Sequence, residues 1–156
     1  MKNLKDKVIV ITGGATGIGF ALAKNFGSQG AKVIIGEPRM EKLEEAFKSL
    51  SDLGIKANYT SLDVTDLKSV ENFAKFSYDC FGNVDILINN AGISAGQGQI
   101  YKANIEDARK VFDVNFFGVW HGCAVFSKIM ISHGSKAAIY NLGSENSLFV
   151  AVPKSI

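Results

Sequence analysis

Four nearly continuous apolar runs and one mixed run punctuate the chain, and longer amphipathic stretches separate them. The runs are residues 7–11 (KVIVI), 32–36 (KVIIG), 84–89 (VDILIN) and 137–142 (AAIYNL), with the mixed run at 55–61 (IKANYTS). Apolar runs without polar alternation read as strands buried on both faces, the pattern of a parallel sheet with helices above and below it. The intervening stretches have helical spacing. Residues 17–28 place Ile18, Ala21, Leu22 and Phe26 on one face and stop at Gly30. Residues 40–53 turn Leu43, Ala46, Phe47 and Leu50 inward and stop at Gly54, and residues 66–81 group Val70, Phe73, Ala74 and Ser77 before Gly82. A glycine just past the last periodic position is a common helix stop, because the chain leaves the helix there through a positive φ. A long helical pattern covers 105–132. Strand–helix alternation at this spacing predicts βαβ units, and hence an α/β, Rossmann-like, doubly wound parallel sheet of about five strands in the order 3-2-1-4-5.

Composition changes this picture little. Residues 1–156 are expected to form one domain, large enough to bury roughly two thirds of the surface its unfolded chain exposes. An apolar fraction of 47% suits an ordinary globular chain. A net charge of +2 with no Lys/Arg block offers no surface for a nucleic-acid partner. Cys80 and Cys123 lie far apart and match no zinc or redox spacing, so both are expected as reduced thiols in a cytoplasmic setting, and no metal site is expected. The opening MKNLKDKVIVITGG has an apolar run of only five residues and is not expected to act as a leader. No membrane partner is expected either, since no stretch reads as the roughly 18 apolar residues of a span.

The chemistry begins at residues 12–19, TGGATGIG, between the first strand and the first helix. A glycine-rich turn there lets the backbone bend tightly and approach a dinucleotide's pyrophosphate with no Cβ in the way. The helix N-terminus behind it offers unpaired N–H groups and a partial positive charge. The expected partner is an acid at the end of the second strand, hydrogen-bonded to the adenosine ribose. Glu37 stands there, 18 positions after Gly19. The spacing is T-G-x-x-x-G-I-G, with Gly13, Gly17 and Gly19, rather than G-x-G-x-x-G.

TGGATGIG resembles the cofactor motif of the short-chain dehydrogenase/reductase family, and further motifs agree in order. Leu62-Asp63-Val64 resembles that family's adenine-contacting Asp after strand three. Asn89-Asn90-Ala91-Gly92 is similar to its N-N-A-G motif after strand four. Val114-Asn115 matches its helix Asn, and Tyr140-Asn141-Leu142-Gly143-Ser144 its N-x-S-S ending, with Gly in place of the first Ser. The resemblance covers essentially residues 5–152.

The resemblance implies an NAD(P)-dependent oxidoreductase that moves a hydride between the nicotinamide and a small alcohol/ketone substrate. Thr12, Gly13, Gly17, Ile18 and Gly19 would lie at the pyrophosphate, Asp63 and Val64 at the adenine, and Asn90, Ala91 and Gly92 along the adenosine side. Asn115 would bend its helix and hold a proton-relay water, and Ser144 would hydrogen-bond the substrate oxygen. Glu37 favours NAD over NADP, because a carboxylate repels a 2′-phosphate, while nearby Arg39 argues the other way. Glu145 and Asn146 are candidates to meet a polar substrate, and Ser147 is a weaker match to the serine position. His121 and His133 fit no catalytic position and are expected on the helix surface or half-buried. The family's Y-x-x-x-K pair would fall near position 157, one past Ile156. The chain is therefore expected to be the truncated, N-terminal portion of such an enzyme, holding the cofactor without turnover, from a parent that forms a homodimer or homotetramer. A non-catalytic dinucleotide-binding module is the alternative, and a methyltransferase on the same fold the third reading.

Overall fold

The computed structural model describes residues 3–94, 102, 104–134 and 136–144. Its elements are β1 (Val8–Thr12), α1 (Gly17–Ser28), β2 (Lys32–Glu37), α2 (Met40–Asp52), β3 (Ala57–Ser61), α3 (Leu67–Phe81), β4 (Ile86–Asn89), α4 (Ile105–Phe112), α5 (Val119–His133) and β5 (Ala138–Asn141). The five strands form one parallel sheet in the order β3-β2-β1-β4-β5, as the alternation predicts. In β1, all five residues are buried. The pleat sends Ile9 and Ile11 to a core shared with α1 and α2, and Val8 and Val10 to a second core shared with α3 and α5. Covering both faces is the physical reason for the uninterrupted apolar runs.

Helix faces follow the predicted spacing in α2 and α3. Leu43, Ala46 and Leu50 are buried in the first, and Val70, Phe73, Ala74 and Ser77 in the second. Phe73 meets Phe126 of α5 edge-on, with ring centroids 6.0 Å apart. In α1 the buried stripe differs from the expected one. It is Gly19, Ala23 and Gly27, while Ile18 is 66% exposed and Ala21 is exposed too. A Cβ on Gly27 would lie 2.3 Å from Ile55 Cγ2, so the helix presses its backbone against its surroundings there, with Leu22 and Phe26 of the expected face packed half-buried beside that contact.

Residues 105–133 form one helical rod, long and apolar enough by length and composition to cross a membrane, contrary to the expectation that no stretch reaches that size. Asn115, His121 and Lys128 break the run into shorter apolar pieces, so no uninterrupted stretch reaches that size while the average over the rod does. The rod lays Gly118, Gly122, Phe126 and Met130 inward. It is not one regular α-helix, because residues Asp113–Gly118 wind as a π-helix between α4 and α5.

At the amino-terminal edge of the sheet, buried Asp85 accepts hydrogen bonds from Lys7 Nζ (2.7 Å) and from the Val8 amide (2.9 Å). Both cysteines are free thiols, and burial, followed by the charge of Asp79, pushes the Cys80 thiol up.

Candidate functional site

The carboxyl ends of β1 to β4 surround a cavity of about 520 Å³. Open parallel sheets bind ligands at this edge, where the strand order reverses between β1 and β4. Gly13 and Ile18 line it from the first turn, Glu37 and Arg39 from the end of β2, Asp63 and Val64 from the loop after β3, and Asn90, Ala91 and Gly92 from the loop after β4. Eight of the candidate residues, with Arg39 beside them, thus converge from four strand ends, although Gly13 and Gly92 are separated by most of the described sheet in sequence.

Thr12, Gly17 and Gly19 are outside this lining, and two of them shape it from behind. Thr12 is 4% exposed, and its hydroxyl accepts hydrogen bonds from the amides of Asn90 and Ala91, both at 3.0 Å. Asn90 Nδ2 answers by donating to the carbonyls of Thr12 (2.9 Å) and Gly13 (3.0 Å). Four hydrogen bonds therefore join the first glycine turn to the loop after β4. Gly13 has φ +63°, and a Cβ on Gly19 would lie 2.2 Å from its carbonyl oxygen, so the turn closes only with glycine at both positions.

The N-cap of α1, Thr16, makes no side-chain cap bond, and the first turn carries no acid. Its leading amides are the kind of donors that an anion satisfies, and Thr16 and Ile18 bring that turn to the cavity wall. The chain thus fits the phosphate group that the glycine motif implies.

Glu37, 6% exposed, is the buried acid of the site. Its Oε1 accepts from Arg39 Nε at 2.6 Å. That hydrogen bond, and then the charge of the carboxylate, push the Arg39 guanidinium above its ordinary value. Asp63 folds its carboxylate onto its own turn, accepting from the Thr65 amide (2.9 Å) and hydroxyl (2.7 Å). The cap of α3 is a separate residue, Asp66, accepting from the amides of Lys68 and Ser69.

Asn115 sits within the π-helical stretch and reaches the loop after β4. Its Oδ1 accepts from the Ile93 amide (2.9 Å) and its Nδ2 donates to the Ile93 carbonyl (2.8 Å), a paired clamp on one peptide neighbour. Ser144 stands three residues beyond β5, away from the cavity lining, on a segment tied to the sheet by the Leu142 amide donating to Asn89 O (3.0 Å). Glu145, Asn146 and Ser147 lie outside the described residues. Below Ser144, Asn89 Nδ2 donates to Asn141 Oδ1 (2.8 Å), binding β4 to β5 side chain to side chain.

The motif argument passes over two contributors. Leu62, 1% exposed, lines the cavity, and its amide donates to Glu37 O (3.2 Å). His121 Nδ1 lies 2.9 Å from the Val64 carbonyl. Leu62 stands inside the LDV motif, so its neighbours could have flagged it. No local pattern marks His121.

The chain matches the short chain dehydrogenase family model over residues 7–155. It is 35% identical to a C alpha-dehydrogenase of Sphingobium sp. (strain NBRC 103272 / SYK-6) over 144 residues, 92% of this chain and 47% of that protein. Its fold superimposes on a short chain dehydrogenase/reductase from Burkholderia phymatum in complex with NAD, with TM-score 0.92 and 33% identity, covering 96% of this chain and 53% of the other. An actinorhodin polyketide ketoreductase variant with NADPH aligns with TM-score 0.89 and 27% identity over 97% of this chain and 58% of its own. The chain spans about half the length of the curated relatives it matches.

Proposed function

The chain belongs to the short-chain dehydrogenase family, and on that premise we propose that it is the dinucleotide-binding part of an oxidoreductase acting on an alcohol/ketone pair, with NAD preferred to NADP. One observation carries the reading: a nearly buried carboxylate, Glu37, lines a cavity whose wall also holds the uncapped first turn of α1. A carboxylate at that strand end accepts hydrogen bonds from ribose hydroxyls and disfavours a 2′-phosphate. Arg39 tempers this, because it partly neutralises Glu37 and is itself a phosphate partner, so the preference is one of degree.

When bound, the nicotinamide supplies or takes up the hydride. The chain's own residues bind and orient. Gly13 and Ile18 face the pyrophosphate, Thr12, Gly17 and Gly19 form the turn that presents them, and Asp63 and Val64 take the adenine side. Asn90, Ala91 and Gly92 form the floor of the site, and Asn115 fixes that floor by clamping Ile93. Ser144, at the carboxyl end of β5, hydrogen-bonds the substrate oxygen. Exposed Phe116, Phe117 and Trp120 on the long helical rod support self-association as the partner interaction.

Calorimetric titration of NAD, NADP and S-adenosylmethionine into wild-type protein and Glu37→Ala tests the reading. Saturable NAD binding is expected, with S-adenosylmethionine failing to compete. Glu37→Ala should weaken NAD by about tenfold, the worth of one charge-assisted hydrogen bond, and leave NADP nearly unchanged. Equal losses for both dinucleotides would remove Glu37 from the ribose, and absence of dinucleotide binding would end the proposal.

A further inference from the structure

The rod of residues 105–133 lines the cavity at Val114 and grips the loops around it at two further places, only one of which belongs to a motif. At its π-helical stretch, Asn115 clamps Ile93. One and a half turns on, His121 reaches the loop after β3, on the other side of the cavity, and meets the Val64 carbonyl at 2.9 Å. A backbone carbonyl only accepts, so Nδ1 carries the hydrogen and the imidazole donates. The contact is close-packed as well as hydrogen-bonded. Gly118, three residues earlier and therefore on the same face, lies so near the loop that a Cβ there would stand 2.6 Å from Val64 Cγ2.

Residues 62–64 all line the cavity and are held from three directions. The Leu62 amide donates to Glu37 O on the β2 side, and the Asp63 amide donates to Ser69 Oγ of α3 (3.0 Å). The third hold is His121, the only one of the three that comes from the rod. Val64 is 8% exposed, and its carbonyl takes the imidazole as its donor.

We propose that His121 is a positioning residue for the adenine side of the site: its Nδ1–H, seated by the close approach at Gly118, fixes the Val64 loop against the rod that Asn115 locks to the opposite wall. The inference rests on the dinucleotide reading above and deepens it, because it makes the spacing of the two walls a property of one helix. A ligand's adenosine half then feels a change at a residue outside the cavity lining.

The test compares wild type, His121→Leu and His121→Asn in the full chain. Asn carries its Nδ2 donor the same number of bonds from the backbone as His carries Nδ1; Leu keeps the bulk and removes the donor. Three quantities are read: Kd for NAD, Kd for AMP, which holds only the adenosine end, and amide hydrogen exchange of residues 62–65 against residues 86–89 of β4. His121→Leu is expected to weaken NAD and AMP by the same factor, about fivefold, the effect of losing one hydrogen bond. It is also expected to speed exchange in 62–65 while leaving 86–89 unchanged, and His121→Asn should restore both. A general loss of packing would speed exchange in β4 as well, and would not be repaired by Asn. Unchanged Kd values in His121→Leu with normal NAD binding by wild type would overturn this inference alone. So would a loss for NAD without one for AMP, or an Asn variant as weak as Leu. Failure of wild type to bind NAD or AMP would overturn the dinucleotide reading and this inference with it. If His121→Leu does not fold, the Asn variant decides: wild-type exchange and affinity support the donor, and a loss of either overturns it.

Discussion

The inner strands β1 and β2 and the edge strand β5 are built from similar sequence patterns and end in different states. Every residue of β1 is buried, and five of six in β2. No residue of β5 is, and Tyr140 within it is 56% exposed. The pleat explains part of the contrast. Tyr140 is in register with Ile88, so both point to the α1 side of the sheet, where they line an open apolar groove with Leu22, Phe26 and Leu142. The rod above the other face repeats the theme: Phe112, Phe116, Phe117, Trp120 and Ile131 are all at least 48% exposed. Hydrophobic residues are thus packed where two layers close on the sheet and exposed where only one does. The inner strands meet their own packing needs, whereas the β5 edge presents apolar surface of the kind that marks an interaction face.

The comparison breaks most readily in the core. Ile11→Ala should destabilise the protein by about 2–5 kcal/mol, whereas Tyr140→Ala should cost less than about 1 kcal/mol, both read from urea unfolding. Equal costs would mean that β5 is covered in solution. A step down in size comes at the junction of the first glycine turn and the loop after β4. Thr12→Val removes the acceptor of the Asn90 and Ala91 amides and should cost about 2 kcal/mol together with loss of NAD affinity, while Thr12→Ser keeps both. A valine variant with wild-type stability and affinity would show that the two hydroxyl bonds of the junction are dispensable. The smallest effect is expected on the rod. Trp120→Glu should shift stability by less than about 0.5 kcal/mol yet lower the sedimentation coefficient of any self-associated species, and an unchanged sedimentation profile would take Trp120 out of the interface.

Much of this was legible along the chain because its causes are local. Glycine stops, apolar runs and two helix faces follow from propensity and period, and they give the elements and their order. The candidate site residues were legible in two ways: the glycine turn and Glu37 through their spacing, and the LDV and NNAG motifs and Asn115 through the family resemblance. The misreading of α1 has a tertiary cause. The buried face of α1 was assigned by size, yet the structure buries Gly19, Ala23 and Gly27, because close backbone approach selects small residues and turns Ile18 toward the cavity.

Periodicity and turn chemistry, then, are enough to state that this chain forms a parallel doubly wound sheet with a glycine turn and an acid at its ligand-binding edge, since those signals act over a few residues. The pairings that give the edge its shape are of another kind. Thr12 with Asn90, Asn115 with Ile93, Asn89 with Asn141 and His121 with Val64 join residues 22 to 78 positions apart. Each depends on which strand ends the sheet brings together and how closely a helix can approach, and only the packed chain decides that, because hydrogen-bond partners are set by distance in space and not by distance along the backbone.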